Sequence, residues 1–261
     1  SEVFMKFHIY GSCAGTEPLV GTHHLSFSLT HNGEEIFFDA GEACGYTAYT
    51  MGVDISKTRR IFISHTHMDH VGGLANLFWY IRKLAVQCGK KTLPQIDLYI
   101  PNLETFEGIM KILKNTEGGF ACDFKIVPHE VTDGVLCDED GLRVTALHNT
   151  HLPHREGEPW RSFSYKIEKD GKTVLFTGDY GKVSDFAPLT KTPDVLMIET
   201  GHHTSQKTAE NLKAAGFCPR NLWYIHNGED VRNDPENAVR ITEEILGCKT
   251  VVLHDRDEIE L

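Results

Sequence analysis

The chain is poor in positive charge: 26 Lys+Arg stand against 37 Asp+Glu, a formal net charge of −11 over 261 residues. A broad nucleic-acid surface needs clustered Lys/Arg to neutralise phosphates, so this balance argues against one while allowing a local basic pocket. Long apolar runs are missing as well. Stretches such as VLMI at 195–198 fall far short of the ~20 residues a bilayer requires, which rules out a membrane-spanning helix. The opening SEVFMKFHIYGS has neither the basic-then-apolar pattern of a signal peptide nor the Arg-rich character of a transit peptide, so no leader is expected. Cysteine is sparse. Cys13, Cys44, Cys88, Cys122, Cys137, Cys218 and Cys248 are odd in number and form no CxxC pair. Neither a disulfide framework nor a Cys-rich zinc site is expected, and reduced thiols in a cytoplasm fit best. No low-complexity tract, Pro/Ser linker or solenoid-length repeat breaks the chain. With 40% hydrophobic and 24% charged residues the composition is ordinary for a globular protein. One domain over residues 1–261 is the simplest reading.

What the chain has in excess is histidine, 15 residues, many of them clustered. The surrounding pattern alternates strands and helices. Residues 3–9 read as a strand, and 25–30 with 34–39 as a hairpin around Asn32-Gly33, a favoured tight-turn pair. Residues 59–64 read as a buried strand. Leu74, Leu77, Phe78, Ile81 and Leu84 at helical spacing predict a helix over 71–88. A strand at 96–100 and a helix over 103–114 follow. Strands are expected at 123–128, 142–147, 163–168 and 172–177, the last two joined at Asp170-Gly171. Then come a strand at 194–199, a helix near 206–215, a strand at 221–225, a helix over 235–246 and a strand at 249–253. Asp234 as N-cap and Pro235 at the first helical position mark the start of the last helix. Residues 255–257 read as a turn into a terminal strand. This order suits sheets covered by helices on their outer faces.

His65-Thr66-His67-Met68-Asp69-His70 places four potential metal ligands in six residues, where a buried strand gives way to a helix. In extended chain, residues i and i+2 point the same way, so His65 and His67 can bind one metal. Asp69 and His70, at the helix start, turn toward a second position. Imidazole and carboxylate suit zinc, and manganese or iron also accept them. Gly72 and Gly73 let the backbone turn closely.

This His-x-His-x-Asp-His run resembles the signature of the metallo-β-lactamase-fold metal-dependent hydrolases. Phe38-Asp39-Ala40-Gly41 is similar to that superfamily's DxG turn, and Thr177-Gly178-Asp179 to its GD turn. His226, after the strand at 221–225, is similar to its last ligand. Gly11-Ser12-Cys13-Ala14-Gly15-Thr16-Glu17-Pro18 with Ser26 and Ser28 is similar to the ribonuclease Z and phosphodiesterase branch. The resemblance implies an α/β fold: a four-layer αβ/βα sandwich of two mixed β-sheets flanked by helices. It also implies two divalent metal ions, with zinc expected and manganese or iron compatible. One would be held by His65, His67 and His151 and the other by Asp69, His70 and His226, with Asp179 bridging. For the third ligand of the first metal His148, His151 and His154 compete; His151 is favoured and His148 comes next. In the family a histidine after the strand at 194–199 often donates a proton to the leaving group. His203 is the expected donor, with His202 beside it. His254 reads as structural, His23 and His24 as candidates for the mouth of the site, and His8, His31 and His129 are assigned no role.

Two such metals, ~3.5–4 Å apart, would share a hydroxide, which metal binding makes available near neutral pH. Asp69 would orient it and take its proton. No GxSxG or Walker-type motif offers another route. The expected reaction is hydrolysis of a small phosphodiester or cyclic nucleotide. A lactone or thioester hydrolase is the alternative; a tRNA-processing endonuclease and a non-enzymatic metal-binding protein rank lower. The negative charge, the absence of a long basic arm around 89–114 and the partial match of Met197-Ile198-Glu199-Thr200 to the ribonuclease Z "HEAT" element count against tRNA. A diiron redox protein is disfavoured because Met68 stands where that pattern carries Glu. The expected partner is a small-molecule substrate, with no nucleic acid and no membrane; dimers are common in the superfamily, so a homodimer stays open. Phe78, Trp79 and Tyr80 read as packing residues, and Trp160 and Trp223 as structural. Tyr46 and Tyr49 read as loop residues, and Tyr180 as a support for the metal ligands.

Overall fold

The computed structural model describes residues 5–261. The strands are β1 Lys6–Gly11, β2 Ser26–His31, β3 Glu34–Phe38, β4 Thr58–Phe62, β5 Gln95–Ile100, β6 Lys125–Glu130, β7 Gly134–Glu139, β8 Leu142–His148, β9 Phe163–Lys169, β10 Lys172–Phe176, β11 Val195–Ile198, β12 Asn221–Tyr224, β13 Lys249–Val252 and β14 Glu258–Glu260. The helices are α1 Cys44–Thr50, α2 Met68–Val71, α3 Leu74–Cys88, α4 Leu103–Lys114, α5 Ser205–Ala214, α6 Glu229–Asn233 and α7 Pro235–Leu246. The expected first strand begins later than the sequence pattern indicates, and its positions 3–4 lie outside the described residues.

The chain folds as two compact units. One comprises residues 5–11, 18–130 and 255–261; the other comprises Ser12–Glu17 and Val131–His254. Each contains one seven-stranded mixed sheet. The first sheet runs β14-β1-β2-β3-β4-β5-β6 and the second β13-β12-β11-β10-β9-β8-β7. The expected two mixed sheets flanked by helices are therefore present.

In the first sheet β14, β1, β2 and β3 are antiparallel neighbours, and β3 to β6 are parallel. Asn32 and Gly33, both at positive φ (51° and 77°), make the β2–β3 turn that their sequence signals. One sheet face, with Phe37, Ile61, Ile63, Leu98 and Ile100, packs against Leu74, Leu77, Phe78 and Ile81 of α3 and Ile109 and Leu113 of α4. Full burial of each large apolar side chain contributes roughly 1.5–3 kcal/mol. Alternate residues on the opposite face form an aromatic ladder: Phe27, Phe38, Phe62 and Tyr99 stack at centroid distances of 5.2, 5.3 and 4.6 Å.

The expected helix over 71–88 is two pieces. Gly73 separates α2 from α3, and a Cβ there would lie 2.1 Å from the Gly41 carbonyl oxygen. Tyr46 and Tyr49 are helical rather than loop residues: they sit exposed on α1, which starts after Ala43 at φ 62°. A run of Gly, Thr and Tyr has weak helix propensity, so its helicity comes from packing of Cys44 and Ala48 into the core.

In the second sheet β7 to β10 are antiparallel neighbours and β10 to β13 are parallel. Leu196, Ile198, Leu222 and Tyr224 pack with Leu212 of α5 and Ala238 of α7. The N-cap is Asp234, whose side chain accepts from the Asn237 N–H, and Pro235 opens α7 as expected. No helix among the described residues is long and apolar enough to cross a membrane, and all seven cysteines are free.

Candidate functional site

The candidate ligands follow the carboxyl ends of strands, where open α/β sheets ordinarily bind their ligands. In the first unit β4 ends at Phe62 and runs into Ser64 and His65. The rings of His65 and His67 lie 4.5 Å apart, and those of His65 and His70 4.0 Å apart. His65 and His70 are fully buried, His67 is exposed. The DxG turn explains how this segment is held. Asp39, fully buried, accepts the Ser64 N–H at Oδ1 (2.7 Å) and the Ser64 hydroxyl at Oδ2 (2.7 Å). The same Oδ2 lies 2.8 Å from His70 Nδ1. A proton on Nδ1 leaves the Nε2 lone pair to face outward, the tautomer a metal ligand needs. Nε2 points to the Asp69 carboxylate, 3.2 Å away.

In the second unit His151, Asp179, Glu199 and His226 follow β8, β10, β11 and β12. His151 Nε2 is 3.7 Å from Asp179 Oδ2, and His226 Nδ1 is 3.4 Å from Asp179 Oδ1. Of the three histidines competing at 148–154, only His151 is brought to Asp179. His148 bonds Asp133 (2.7 Å) and stacks on Trp160 (3.9 Å), while His154 stacks on the same ring (3.7 Å).

His202 and His203 diverge in the same way. His203 stacks on Tyr180 at 4.7 Å, away from the carboxylates. His202 Nδ1 lies 3.0 Å from Glu199 Oε1 and 3.8 Å from Asp179 Oδ2. The hydrogen bond with Glu199 raises the His202 pKa against the opposing effect of burial. Burial pushes the Glu199 carboxyl up, but the hydrogen bond from His202 and the His226 imidazole 3.8 Å away outweigh it and hold the pKa at about 2. Burial also pushes the Tyr180 phenol well above its ordinary range. Glu199 joins the site with only a weak sequence signal, a carboxylate three positions before a histidine.

One donor atom from each of Asp179, Glu199, His202 and His226 lies within 4.8 Å of the others. This imidazole–carboxylate set fits a divalent metal of the zinc, manganese or iron type. His23 binds Asp255 (2.9 Å) and His24 binds Glu42 (2.6 Å), both within the first unit. His254 is exposed. His8 bonds Thr30 and His129 bonds Asp97, ordinary structural contacts.

The fold and the His/Asp motifs define a member of the metallo-β-lactamase-fold superfamily of metal-dependent hydrolases, near its ribonuclease Z and phosphodiesterase branch. The crystal structure of the metallo-β-lactamase fold protein YhfI from Bacillus subtilis superposes with a TM-score of 0.75 at 17% identity, covering 99% of this chain and 100% of that one. Within the superfamily the chain belongs to the family described as anti-Pycsar protein Apyc1, whose model matches residues 5–238. It is also similar to the ribonuclease Z of Methanothermobacter thermautotrophicus, 34% identical over 136 residues, 51% of this chain and 41% of that protein. The ribonuclease Z of Halalkalibacterium halodurans is 25% identical over 218 residues, 82% of this chain and 64% of that protein. The chain thus spans about half the length of these curated relatives.

Proposed function

We propose that this chain is a dinuclear metal-dependent phosphodiesterase acting on a small phosphodiester, a cyclic nucleotide above all. His65, His67 and His151 would hold one metal and Asp69, His70 and His226 the other, with Asp179 as the shared ligand. Zinc suits this donor set best among the compatible ions. When bound, such metals supply a nucleophilic water near neutral pH and polarise the oxygen under attack.

The chain's own residues do the rest. Asp69 orients the attacking water and takes its proton. His202 donates a proton to the departing oxygen, in place of His203, because it is His202 that sits beside the metal-binding carboxylates. Glu199, held ionised, orients the His202 ring through Nδ1 (3.0 Å) and favours its protonated form. This histidine–carboxylate pair 3.8 Å from Asp179 is the observation that carries the reading. An alkoxide leaving from a phosphodiester needs a proton, and general-acid help of this kind contributes typically 10²–10⁴-fold.

Kinship with ribonuclease Z supports phosphodiester chemistry over lactones and thioesters. The charge of −11 and the lack of a basic arm favour a small substrate over RNA. Helix α4 carries Glu104 and Glu107 in its first half and Lys111 and Lys114 only in its second, so it offers no continuous cationic track. Seven free cysteines favour a reducing, cytoplasmic setting. The test is a parallel assay of 3′,5′-cyclic mononucleotides, a precursor tRNA and an acyl lactone with zinc-loaded protein. Hydrolysis of the cyclic nucleotides with little turnover of the others is expected. Cleavage of the tRNA alone would establish the ribonuclease reading, and lactone turnover alone would replace phosphodiester chemistry altogether.

A further inference from the structure

We propose that Asn149 is a positioning residue that locks the turn carrying His151 onto the turn carrying Asp179; this rests on both being metal ligands, as proposed above. Asn149 directly follows β8 and is fully buried. Its N–H donates to the Ser162 carbonyl (2.9 Å), closing the base of the loop between β8 and β9. Its Oδ1 accepts the His151 N–H (3.1 Å) and the Ser162 hydroxyl (2.6 Å). Its Nδ2 donates to Ser164 Oγ (3.2 Å) and to the Thr177 carbonyl (3.5 Å). A primary amide has two N–H donors and one oxygen with two lone pairs, and here all four are matched.

These bonds lead straight to the bridging carboxylate. The Thr177 carbonyl, two residues before Asp179, also accepts the Ser164 hydroxyl (2.5 Å). The two turns meet again at Thr150, the residue just before His151. A Cβ at Gly181 would lie 2.3 Å from Thr150 Oγ1 and 2.8 Å from the Thr150 carbonyl oxygen, an approach that requires glycine. Thr150 in turn donates from its N–H (2.9 Å) and its hydroxyl (2.7 Å) to Asp185 Oδ2. Asn149 and Thr150, the two residues that precede His151, are therefore both bonded to the segment 177–185. His151 Nε2 and Asp179 Oδ2 are held 3.7 Å apart by a buried amide that touches neither side chain. A metal site requires its ligand distances within about 0.2 Å of the usual values, so a device that fixes ligand placement acts on binding without being a ligand. Aspartate cannot replace it: a carboxylate lacks both N–H donors and would face the Thr177 carbonyl.

The test compares zinc affinity, by competition with a chromophoric chelator, for the parent and for Asn149→Asp, Asn149→Ala, Ser164→Ala and His151→Ala. Each is first checked by circular dichroism in its metal-free state, and kcat and KM for bis(p-nitrophenyl) phosphate are then measured at saturating zinc. The Asn149 variants are expected to bind zinc about 10–100-fold more weakly, the usual cost of losing an outer support of a ligand, with KM at saturating zinc little changed. Parent-like affinity in Asn149→Asp together with weakened binding in His151→Ala would overturn the positioning role and leave the ligand assignment standing. Parent-like affinity in His151→Ala would overturn the ligand assignment itself, and the role of Asn149 with it. If the Asn149 variants fail to fold, Ser164→Ala decides: a loss of about tenfold is expected, and unchanged affinity would overturn the proposal.

Discussion

His70 Nδ1 lies 2.8 Å from Asp39 Oδ2, and both side chains are fully buried. The carboxylate fixes the imidazole tautomer and, through Ser64, the backbone just before His65. Asp39→Asn would place an amide where two acceptor oxygens are needed. Zinc binding should weaken about 10–100-fold, read by chelator competition. Undiminished affinity would mean that the Asp39–His70 bond does not serve the metal.

Asp179 is shared by the proposed metals, so its loss should not spare either. Asp179→Ala is expected to lower bound metal and abolish phosphodiester hydrolysis together, checked by elemental analysis beside the rate. Full metal content in that variant would contradict the shared role.

The proposed proton donation by His202 depends on the leaving group. p-Nitrophenolate departs without help, whereas the sugar alkoxide of a cyclic nucleotide does not. His202→Ala should slow cyclic nucleotide hydrolysis by about 10²-fold or more and bis(p-nitrophenyl) phosphate hydrolysis far less. His203→Ala, which removes a ring stacked on Tyr180, should not discriminate between the two substrates. Equal losses on both substrates in His202→Ala would reassign it to binding or structure.

Asp97 links β4, β5 and β6. Burial would raise its pKa, but hydrogen bonds from His129 and Gln95 and the charge of Arg59 overcome that and lower it. A carboxyl depressed on folding adds stability that is present above its unfolded pKa and lost as pH falls through the folded value. Acid unfolding of Asp97→Asn should therefore lose this part of its pH dependence, with about 1 kcal/mol less stability at neutral pH. Urea titrations at neutral and acidic pH check it: an unchanged difference between the two would remove Asp97 from the acid response.

Gly73 has no room for a side chain, since a Cβ would meet the Gly41 carbonyl oxygen and Cys44 Sγ at 2.1 and 2.9 Å. Gly73→Ala should destabilise the chain by about 2 kcal/mol or more, seen as a lower midpoint of urea unfolding. A parent-like midpoint would show that the DxG turn and the α2–α3 junction can separate without cost.

Much of this was legible in the sequence wherever local chemistry and tertiary packing agree. Asn102 caps α4 and Asp234-Pro235 opens α7, and both helices match their expected limits. The Asn32-Gly33 hairpin is likewise written in its turn residues. Strand β7 escaped because Gly134–Glu139 is mostly exposed and lacks an alternating pattern. Helix α1 escaped because its stability lies in packing. The proposed ligands of the HxHxDH run announce themselves by density. His202 and His203 cannot be ranked by sequence, because only the fold shows which one faces Glu199. Asn149 offered no signal at all: a single asparagine becomes informative only when its four bonds are seen.

The central claim is that these residues hold metal and hydrolyse a small phosphodiester. The most direct measurement is hydrolysis of a 3′,5′-cyclic mononucleotide by protein whose bound metal is counted in the same sample, before and after chelation. The account predicts two metal ions per chain and turnover that vanishes on chelation and returns with zinc. Two bound metals with no cyclic nucleotide turnover, or turnover indifferent to chelation, would contradict it.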